Sequence, residues 1–140
     1  MEVKFKKLHN DAVLPAYATK NAACLDLTSV AIQFEDKPDY GYIEYMTGLA
    51  VEIPEGYLGF IRPRSSISKT GLIEATSGII DSDYRGELVY RCKYVKGTKK
   101  FELGERFGQL IILPYPTLEP TFVDELSTTD RLGGHGSTGL

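Results

Sequence analysis

The stretch Glu87-Leu88-Val89-Tyr90-Arg91-Cys92-Lys93-Tyr94-Val95 decides the fold class through its period of two. Leucine, tyrosine and cysteine occupy its even positions, whereas glutamate, valine, arginine and lysine occupy its odd positions. Successive side chains of a β-strand point to opposite faces of a sheet, so this alternation predicts a strand with one buried face.

Similar β-type runs recur on both sides of this stretch, between glycine, proline and aspartate residues. Such spacing favours an all-β sandwich or barrel. The runs are an alternation of Val3 and Phe5 with lysines, residues 42–53 before the turn Pro54-Glu55-Gly56, residues 57–61, and the apolar run 110–113 before Pro114 and Pro116.

Only one segment has helical signals. Ser65 and Ser66 follow a proline and are good N-caps, and Gly71 can end one or two turns of helix. The polar, glycine-rich end of the chain is instead expected to be mobile when nothing holds it. We therefore divide the chain into a β domain, residues 1–126, and a C-terminal tail, residues 127–140.

Length and charge limit the function. The 140 residues are enough for one domain, but a deep pocket is hard to enclose in so short a chain, so oligomerisation is a reasonable way to build one. A formal net charge of −3 argues against a general nucleic-acid or membrane surface. Neither a signal peptide nor an apolar run of membrane-spanning length is seen, and the expected location is the cytoplasm.

Cysteine and histidine are too few for the common metal sites and catalytic triads. Cys24 and Cys92 are far apart and lack a metal-ligand spacing, so we expect both to be reduced core or strand residues. His9 and His135 alone are a poor supply for a histidine-rich metal site or a Ser-His-Asp triad.

Residues 62–66, Arg-Pro-Arg-Ser-Ser, combine two guanidinium groups with two hydroxyls at the start of the expected helix. Arginine side chains and free backbone N–H groups are the donors that a phosphate group needs. The segment fits a capped helix with surface arginines equally well. Taken alone, it leaves both interpretations open.

Residues 78–86, Gly-Ile-Ile-Asp-Ser-Asp-Tyr-Arg-Gly, place Asp81 between an apolar pair and a turn. Its carboxylate can face a pocket as a general base, and the ring of Tyr84 can wall that pocket. The alternative, which is the commoner case in proteins, is a turn aspartate that is hydrogen-bonded to its own backbone.

Two further segments carry weaker signals. Residues 104–111 indicate a turn before a buried strand, in which Gln109 is an unexpectedly polar residue. Residues 131–139 combine glycines with the phosphate donors Arg131, Ser137 and Thr138. They fit either a loop that folds over a ligand or a disordered tail.

Together, and in this order, the segments resemble the five motifs of the trimeric dUTPase family over essentially the whole chain. Residues 22–27 resemble A-G-x-D-L, 63–66 P-R-S-G, 78–86 G-x-I-D-x-D-Y-R-G, 104–111 G-D-R-x-x-Q-L-I, and 131–139 R-G-x-G-G-F-G-S-T-G. Chance does not account for five motifs in one order at family-like spacing.

The resemblance implies a single-domain β jelly roll that forms a homotrimer, with active sites that combine motifs of different subunits. It implies hydrolysis of dUTP to dUMP and pyrophosphate, which keeps uracil out of DNA and supplies dUMP for dTTP synthesis. Asp81 would be the base that activates water for attack on the α-phosphorus. Tyr84 would stack under the deoxyribose and exclude UTP.

The remaining site residues follow from the same resemblance. Backbone groups of the hairpin 75–80 would read uracil, and Mg²⁺ would be held by phosphates and waters without a direct protein ligand. Asp26 would act on the water shell of the metal or pair with Arg64. Besides Tyr84, the implied substrate-binding residues are Ala75, Gly78, Ile79, Ile80 and Val89 around the base, and Arg64, Ser65, Ser66, Gln109, Arg131, His135, Gly136, Ser137 and Thr138 around the phosphates and in the closing tail.

The chain departs from the family motifs at four places. Cys24 and Ser66 replace glycines, and Ala75 stands where many relatives have asparagine. His135 replaces a stacking phenylalanine, in a fifth motif that is one residue short. We expect these changes to affect affinity more than the reaction.

Two other functions, a dCTP deaminase and a non-catalytic regulator, are alternatives to dUTP hydrolysis. dCTP deaminase shares the fold and the Arg-Ser-Ser triplet, but Arg91 holds the position of its catalytic glutamate and cannot act as that acid or base. A non-catalytic trimeric regulator would use the nucleotide pocket to switch a regulatory protein partner. Asp81 and the full tail argue against a loss of activity and leave a second, regulatory role open.

Overall fold

The structure, a computed structural model, describes residues 1–134, 136 and 138–139, and within them the chain forms ten strands and one short helix. A 3-10 helix, Ser65–Lys69, follows the sixth strand. The strands are β1 Lys4–Lys7, β2 Ala16–Tyr17, β3 Leu25–Thr28, β4 Ala31–Asp36, β5 Tyr40–Glu52, β6 Tyr57–Pro63, β7 Leu72–Glu74, β8 Ile79–Ile80, β9 Glu87–Val95 and β10 Arg106–Pro114.

The strands form two five-stranded antiparallel sheets. The first has the order β1-β5-β9-β7, with β4 also paired to β5, and the second has the order β2-β3-β10-β6-β8. All described pairings are antiparallel. The expected all-β architecture of the jelly-roll type is therefore confirmed, and each of the five β-type runs of the sequence overlaps a strand.

Aromatic rings join the two sheets in the core. Tyr45 of β5 stacks on Phe107 of β10 with ring centroids 5.1 Å apart, and Tyr90 of β9 lies 6.0 Å from the same ring. The Tyr45 hydroxyl donates a hydrogen bond to the Phe101 carbonyl oxygen at 2.9 Å, so its burial leaves no donor unpaired. The even positions of β9 face this core, as the period of two predicts.

The cysteines occupy different environments. Cys92 is a buried strand residue, and burial raises the pKa of its thiol to about 12. It therefore stays a thiol at physiological pH and packs as a small apolar side chain. Cys24 is also free and half-buried, but it lies just before β3 and not in a strand.

The expected helix is confirmed in place but not in its capping. Arg64 is the N-cap residue, with φ −78° and ψ 158°, and no side chain caps the helix. Ser65 and Ser66 are wrong as N-caps because they lie within the first helical turn, beyond the extended residue from which a cap reaches forward. Thr70, not Gly71, closes the helix, through its N–H donated to the Ile67 carbonyl oxygen.

The chain leaves the sheets after Pro114. The Tyr115 N–H donates to the Gly56 carbonyl oxygen at 3.0 Å, and residues 116–134 contain no strand or helix. Leu118, Phe122 and Leu126 along this arm are each at least 77% exposed. Within the described part of the chain, no helix is long and apolar enough to cross a membrane.

Candidate active site

Strand β10 brings three of the sequence segments into one row. Gln109 lies opposite Asp26 of β3 on one side and opposite Arg62 of β6 on the other. The Gln109 side-chain amide donates to the Pro63 carbonyl oxygen at 3.0 Å. The first, second and fourth motif-like segments therefore meet at one end of this sheet, because the antiparallel register places them there.

Asp26 connects two arginines, Arg64 just after β6 and Arg106 at the start of β10. Its Oδ1 lies 3.2 Å from Arg64 Nε, and its Oδ2 accepts a hydrogen bond from Arg106 Nη1 at 2.8 Å. The Asp26 side chain is only 11% exposed, so both carboxylate oxygens are engaged within the protein. The sequence left two roles open for Asp26, an action on the water shell of a metal and a pairing with Arg64. The structure contains the pairing with Arg64.

A cleft of about 370 Å³ opens beside this ion pair, and we refer to it as the cationic cleft. Four of its lining side chains are cations and one is a carboxylate. The charged lining residues are Arg64, Lys69, Lys99, Arg106 and Glu105, and Ser66 lies among them. The predicted phosphate-binding residues Arg64 and Ser66 thus line one cleft with Glu105 and Arg106 of the fourth motif-like segment, and with Lys69 and Lys99, which lie outside the motif-like segments.

A second cleft, of about 290 Å³, contains the predicted base, and we refer to it as the Asp81 cleft. It is lined by Thr76, Ile79, Ile80, Asp81, Tyr84, Glu87 and Val89. Five of the seven were predicted from the sequence. Thr76 and Glu87 were not, because neither follows a pattern that separates a cleft residue from an ordinary polar residue.

The carboxylate of Asp81 is exposed and points to the cleft with its oxygens free. The turn after β8 is closed by the backbone, since the Tyr84 N–H donates to the Asp81 carbonyl oxygen at 3.1 Å. No side-chain hydrogen bond or ion pair of Asp81 occurs among the residues that the structure describes. The alternative of an aspartate consumed by its own turn is thereby disfavoured.

The ring of Tyr84 is held in place from two sides. Its hydroxyl donates to the Glu87 carbonyl oxygen at 2.9 Å, and Glu87 Oε1 in turn accepts the Gly48 N–H at 2.7 Å. Gly86 lies against the ring: a Cβ atom there would be 2.4 Å from the Tyr84 hydroxyl oxygen and 2.6 Å from Cζ. Gly86 is therefore a positioning residue for Tyr84, a role that its place in a turn did not reveal.

Gly78 fixes the hairpin that carries the base-side residues. Its φ is +73°, the Ile61 N–H donates to its carbonyl oxygen at 2.7 Å, and a Cβ would lie 2.3 Å from the Ile61 carbonyl oxygen. Only glycine fits this close approach at this backbone angle. Gly78 and Ala75, whose N–H donates to the Arg91 carbonyl oxygen at 3.0 Å, shape the hairpin without lining the Asp81 cleft.

The remaining predicted residues are not brought to either cleft. Ser65 is exposed at the start of the 3-10 helix, beside the cationic cleft but not in its lining. Arg131, Gly136 and Thr138 are exposed on the tail, away from both sets of lining residues. His135 and Ser137 lie outside the described residues.

The two clefts are separate in one chain. They share no lining residue among the described positions. Ile80 is opposite Gly59 on β6, and Arg64 follows five residues later. At roughly 3.4 Å per strand residue, the segments are about 17 Å apart along the strand.

Metal-binding side chains are also dispersed. Within residues 1–134, 136 and 138–139, no three histidine, cysteine, aspartate or glutamate side chains are grouped so that they could hold a metal ion. Asp26 of β3 already has both carboxylate oxygens paired with arginine. The donor set fits a cation that arrives with a phosphorylated ligand better than one held by the protein alone.

The fold is all-β, and its cationic cleft has the kind of side chains that a phosphorylated ligand needs. A model of the dUTPase family matches residues 10–139. The deoxyuridine 5'-triphosphate nucleotidohydrolase of Hydrogenobaculum sp. (strain Y04AAS1) is 42% identical over 144 residues, which cover 100% of this chain and 99% of that protein. The chain belongs to the dUTPase family.

Solved structures of dUTPases have a fold similar to that of this chain. The dUTPase of Staphylococcus bacteriophage 80alpha with dUPNHPP matches with a TM-score of 0.85 and 30% identity, over 99% of each chain. A mutant dUTPase from phage phi11 of S. aureus, described with a structural Mg(II) ion, matches with a TM-score of 0.77 and 26% identity, over 91% of this chain and 100% of that one.

Substitution of Gly78 by alanine tests the hairpin geometry. Gly97 is the matched control, because its φ of +80° is similar but nothing lies within 4 Å of a Cβ there. We expect Gly97→Ala to lower the free energy of unfolding by about 1–3 kcal/mol through backbone strain alone. Gly78→Ala should cost more, because the clash with Ile61 adds to that strain, and chemical denaturation measures both. Equal losses in the two variants would contradict the close approach.

Proposed function

We propose that this protein hydrolyses dUTP to dUMP and pyrophosphate, with Asp81 as the general base. The observation that carries the proposal is the free carboxylate of Asp81 in one cleft with Tyr84, Ile79, Ile80 and Val89. Membership of the dUTPase family and the names of the relatives support dUTP as the substrate. The structure of the phage 80alpha relative with dUPNHPP supports a nucleotide in this kind of site.

The reaction needs one proton acceptor at the attacking water. Aspartate is ionised at neutral pH, so its carboxylate can accept that proton as the water oxygen bonds to the α-phosphorus. The bond between the α-phosphorus and the oxygen bridging to the β-phosphorus breaks, and that oxygen leaves with pyrophosphate. Asp81 then returns its proton to solvent, which its exposed position permits.

Selection of the nucleoside follows from the fixed ring and the hairpin. Tyr84 is held by Glu87 and backed by Gly86, so the ring is a rigid wall against which a 2′-hydroxyl would collide. Peptide groups of residues 75–80 are proposed to read uracil, because backbone N–H and C=O groups can mimic a base-pairing edge. The narrow hairpin would leave no room for the methyl group of thymine.

The phosphates are proposed to bind at Arg64, Ser65, Ser66 and Gln109, at the mouth of the cationic cleft. Mg²⁺ would reach the site with the triphosphate, held by phosphate oxygens and water, and would neutralise charge on the phosphates. Asp26 would contribute by fixing Arg64 and not as a metal ligand. Arg131, His135, Gly136, Ser137 and Thr138 of the tail, residues 127–140, are proposed to close over the nucleotide.

Assembly into a homotrimer would unite the separate halves of the site. The two clefts share no described lining residue, and this separation supports a site to which more than one chain contributes. A neighbouring copy can supply the missing half. The arm after Pro114, with exposed Leu118, Phe122 and Leu126, supports such an assembly because these apolar side chains have no cover within the described chain.

Pyrophosphate release from individual nucleotides with Mg²⁺ tests the substrate. We expect dUTP to be hydrolysed far faster than dCTP, dTTP or UTP. Tyr84→Ala should raise the UTP to dUTP ratio of kcat/KM roughly tenfold, since overpacking a site costs about 1–3 kcal/mol. Gly86→Ala should shift the ratio in the same direction by displacing the ring, whereas Tyr84→Phe, which keeps the ring, should change it less. Comparable turnover of UTP by the wild-type protein would contradict the assignment.

Asp81→Asn tests the base. The amide keeps the shape of the side chain but accepts a proton poorly, so kcat should fall by roughly 10²–10⁴-fold. Binding of a non-hydrolysable dUTP analogue, measured by calorimetry, should stay within a few-fold of wild type. Asp83→Asn, two residues along the same turn but outside the cleft lining, is the matched control and should retain kcat. A nearly unchanged kcat in Asp81→Asn would mean that another group activates the water.

Mixed trimers test whether sites are shared. Asp81→Asn and Arg131→Ala chains should each be slow alone, and after co-refolding at equal amounts about a quarter of the sites should contain both native residues from different chains. The control mixture combines Asp81→Asn with the Asp81→Asn/Arg131→Ala double variant, in which every site lacks the base. Activity that is no higher in the first mixture than in the control, or an active monomer in sedimentation, would refute shared sites.

A further inference from the structure

Glu74 is the last residue of β7, directly before the hairpin 75–80 that is proposed to read uracil. Its side chain is 25% exposed, and both of its carboxylate oxygens have partners. Oε1 lies 3.1 Å from Arg62 Nη2, and Oε2 accepts a hydrogen bond from the Tyr90 hydroxyl. The three side chains therefore form one connected group, which we refer to as the Glu74 network.

The Glu74 network joins the two sheets. Glu74 and Tyr90 belong to β7 and β9 of the first sheet, whereas Arg62 belongs to β6 of the second. Tyr90 is 1% exposed and its ring packs on Phe107 in the core, so the hydroxyl that holds Glu74 has a fixed position. Burial and the Glu74 carboxylate raise the pKa of this hydroxyl, which therefore stays a neutral donor at physiological pH.

Arg62 connects the network to the other end of the hairpin. Its guanidinium carbon lies 5.3 Å from the centre of the Phe60 ring, within the range of a cation–π contact. Phe60 is the register partner of Ile79 in β8, the strand that ends the hairpin. One guanidinium group thus contacts Glu74 at the start of the hairpin and the strand segment that pairs with its end.

Ala75, the first residue of the hairpin, has no side-chain group that could fix the loop. A methyl group makes no hydrogen bond, so this position is held through its backbone, whose N–H donates to the Arg91 carbonyl oxygen at 3.0 Å. A hairpin that reads a base through peptide groups depends on the exact placement of those groups. Because Glu74 directly precedes Ala75, a displacement of the Glu74 backbone would move the first of these peptide groups.

We propose that Glu74, Arg62 and Tyr90 are positioning residues for base selection: they fix the hairpin 75–80 so that its peptide groups bind uracil and leave no room for the methyl group of thymine. This rests on the proposed hydrolysis of dUTP, in which that hairpin reads the base. Among the described residues, none of the three lines the Asp81 cleft or the cationic cleft. The Glu74 network therefore acts through the hairpin backbone and not by contact with the reacting atoms.

Steady-state kinetics with dUTP, dTTP and UTP test the positioning role. Glu74→Gln removes the charge that attracts Arg62 but keeps an acceptor for Tyr90, and Tyr90→Phe removes the donor but keeps the ring in the core. In the Glu74→Gln/Tyr90→Phe double variant, the KM for dUTP should rise about tenfold while kcat stays within about twofold of wild type, because uniform binding is lost. The preference for dUTP over dTTP in kcat/KM should fall about tenfold, and Glu74→Gln alone should lower it about threefold.

The preference for dUTP over UTP is the internal control, because both nucleotides carry uracil and the Tyr84 ring is held separately by the Glu87 carbonyl oxygen. This preference should stay unchanged in both variants. Glu52→Gln is the matched control variant, since it breaks an ion pair of 2.9 Å with Lys4 between two strands, and neither residue lines either cleft. An unchanged preference over dTTP in the double variant, or an equal loss of both preferences, would overturn the proposal.

Amide hydrogen exchange, followed by NMR on the assembled protein, tests the hold on the hairpin without substrate. The Ala75 N–H should exchange about tenfold faster in the double variant than in wild type, and at the wild-type rate in Glu52→Gln, because local opening becomes easier when the Glu74 network is lost. Equal exchange in wild type and the double variant would refute the positioning role whether or not dUTP is the substrate. Faster exchange in a protein that fails to hydrolyse dUTP would support the hold on the hairpin and refute the proposed function, so the two failures are distinguishable.

Discussion

The position of β10 between β3 and β6 is the constraint on which the site depends. Its antiparallel register places Gln109 opposite both Asp26 and Arg62, so residues more than eighty positions apart share one row. A shift of one residue would turn Gln109 to the other face and separate Asp26 from Arg106. Phe107 on the same strand stacks on Tyr45 of the opposite sheet, and this packing opposes any such slip.

The charge of Asp26 is compensated by two arginines, Arg64 and Arg106. Asp26 is 11% exposed, and a carboxylate so far out of water persists only with close cationic partners. Arg64 and Arg106 provide them and become fixed in return, which gives any phosphate a rigid guanidinium to meet.

The sequence predicts the long strands well because each has a face that packs on the core. The period of two in β9 and the run before Pro54 in β5 are direct consequences of burial on one side. Short strands such as β8, Ile79–Ile80, cannot be predicted from periodicity, because two residues are too few to show a period. They form where a neighbouring strand offers free peptide groups, as β6 does here. The prediction of serine N-caps was wrong because a serine also occurs within the first turn of a helix or in the wall of a cleft. Composition alone does not distinguish these positions from an N-cap.

The site was predictable in its motifs but not in its division between two clefts. Sequence order does not tell whether Asp81 and Arg64 face the same space, and their segments are about 17 Å apart along β6 and the residue after it. A deep pocket is hard to enclose in a chain of 140 residues. An arm with a fully exposed Phe122 is costly in water for a lone chain. Association of copies, as proposed above, would cover this apolar arm and would bring together the parts of the site that one chain divides between two clefts.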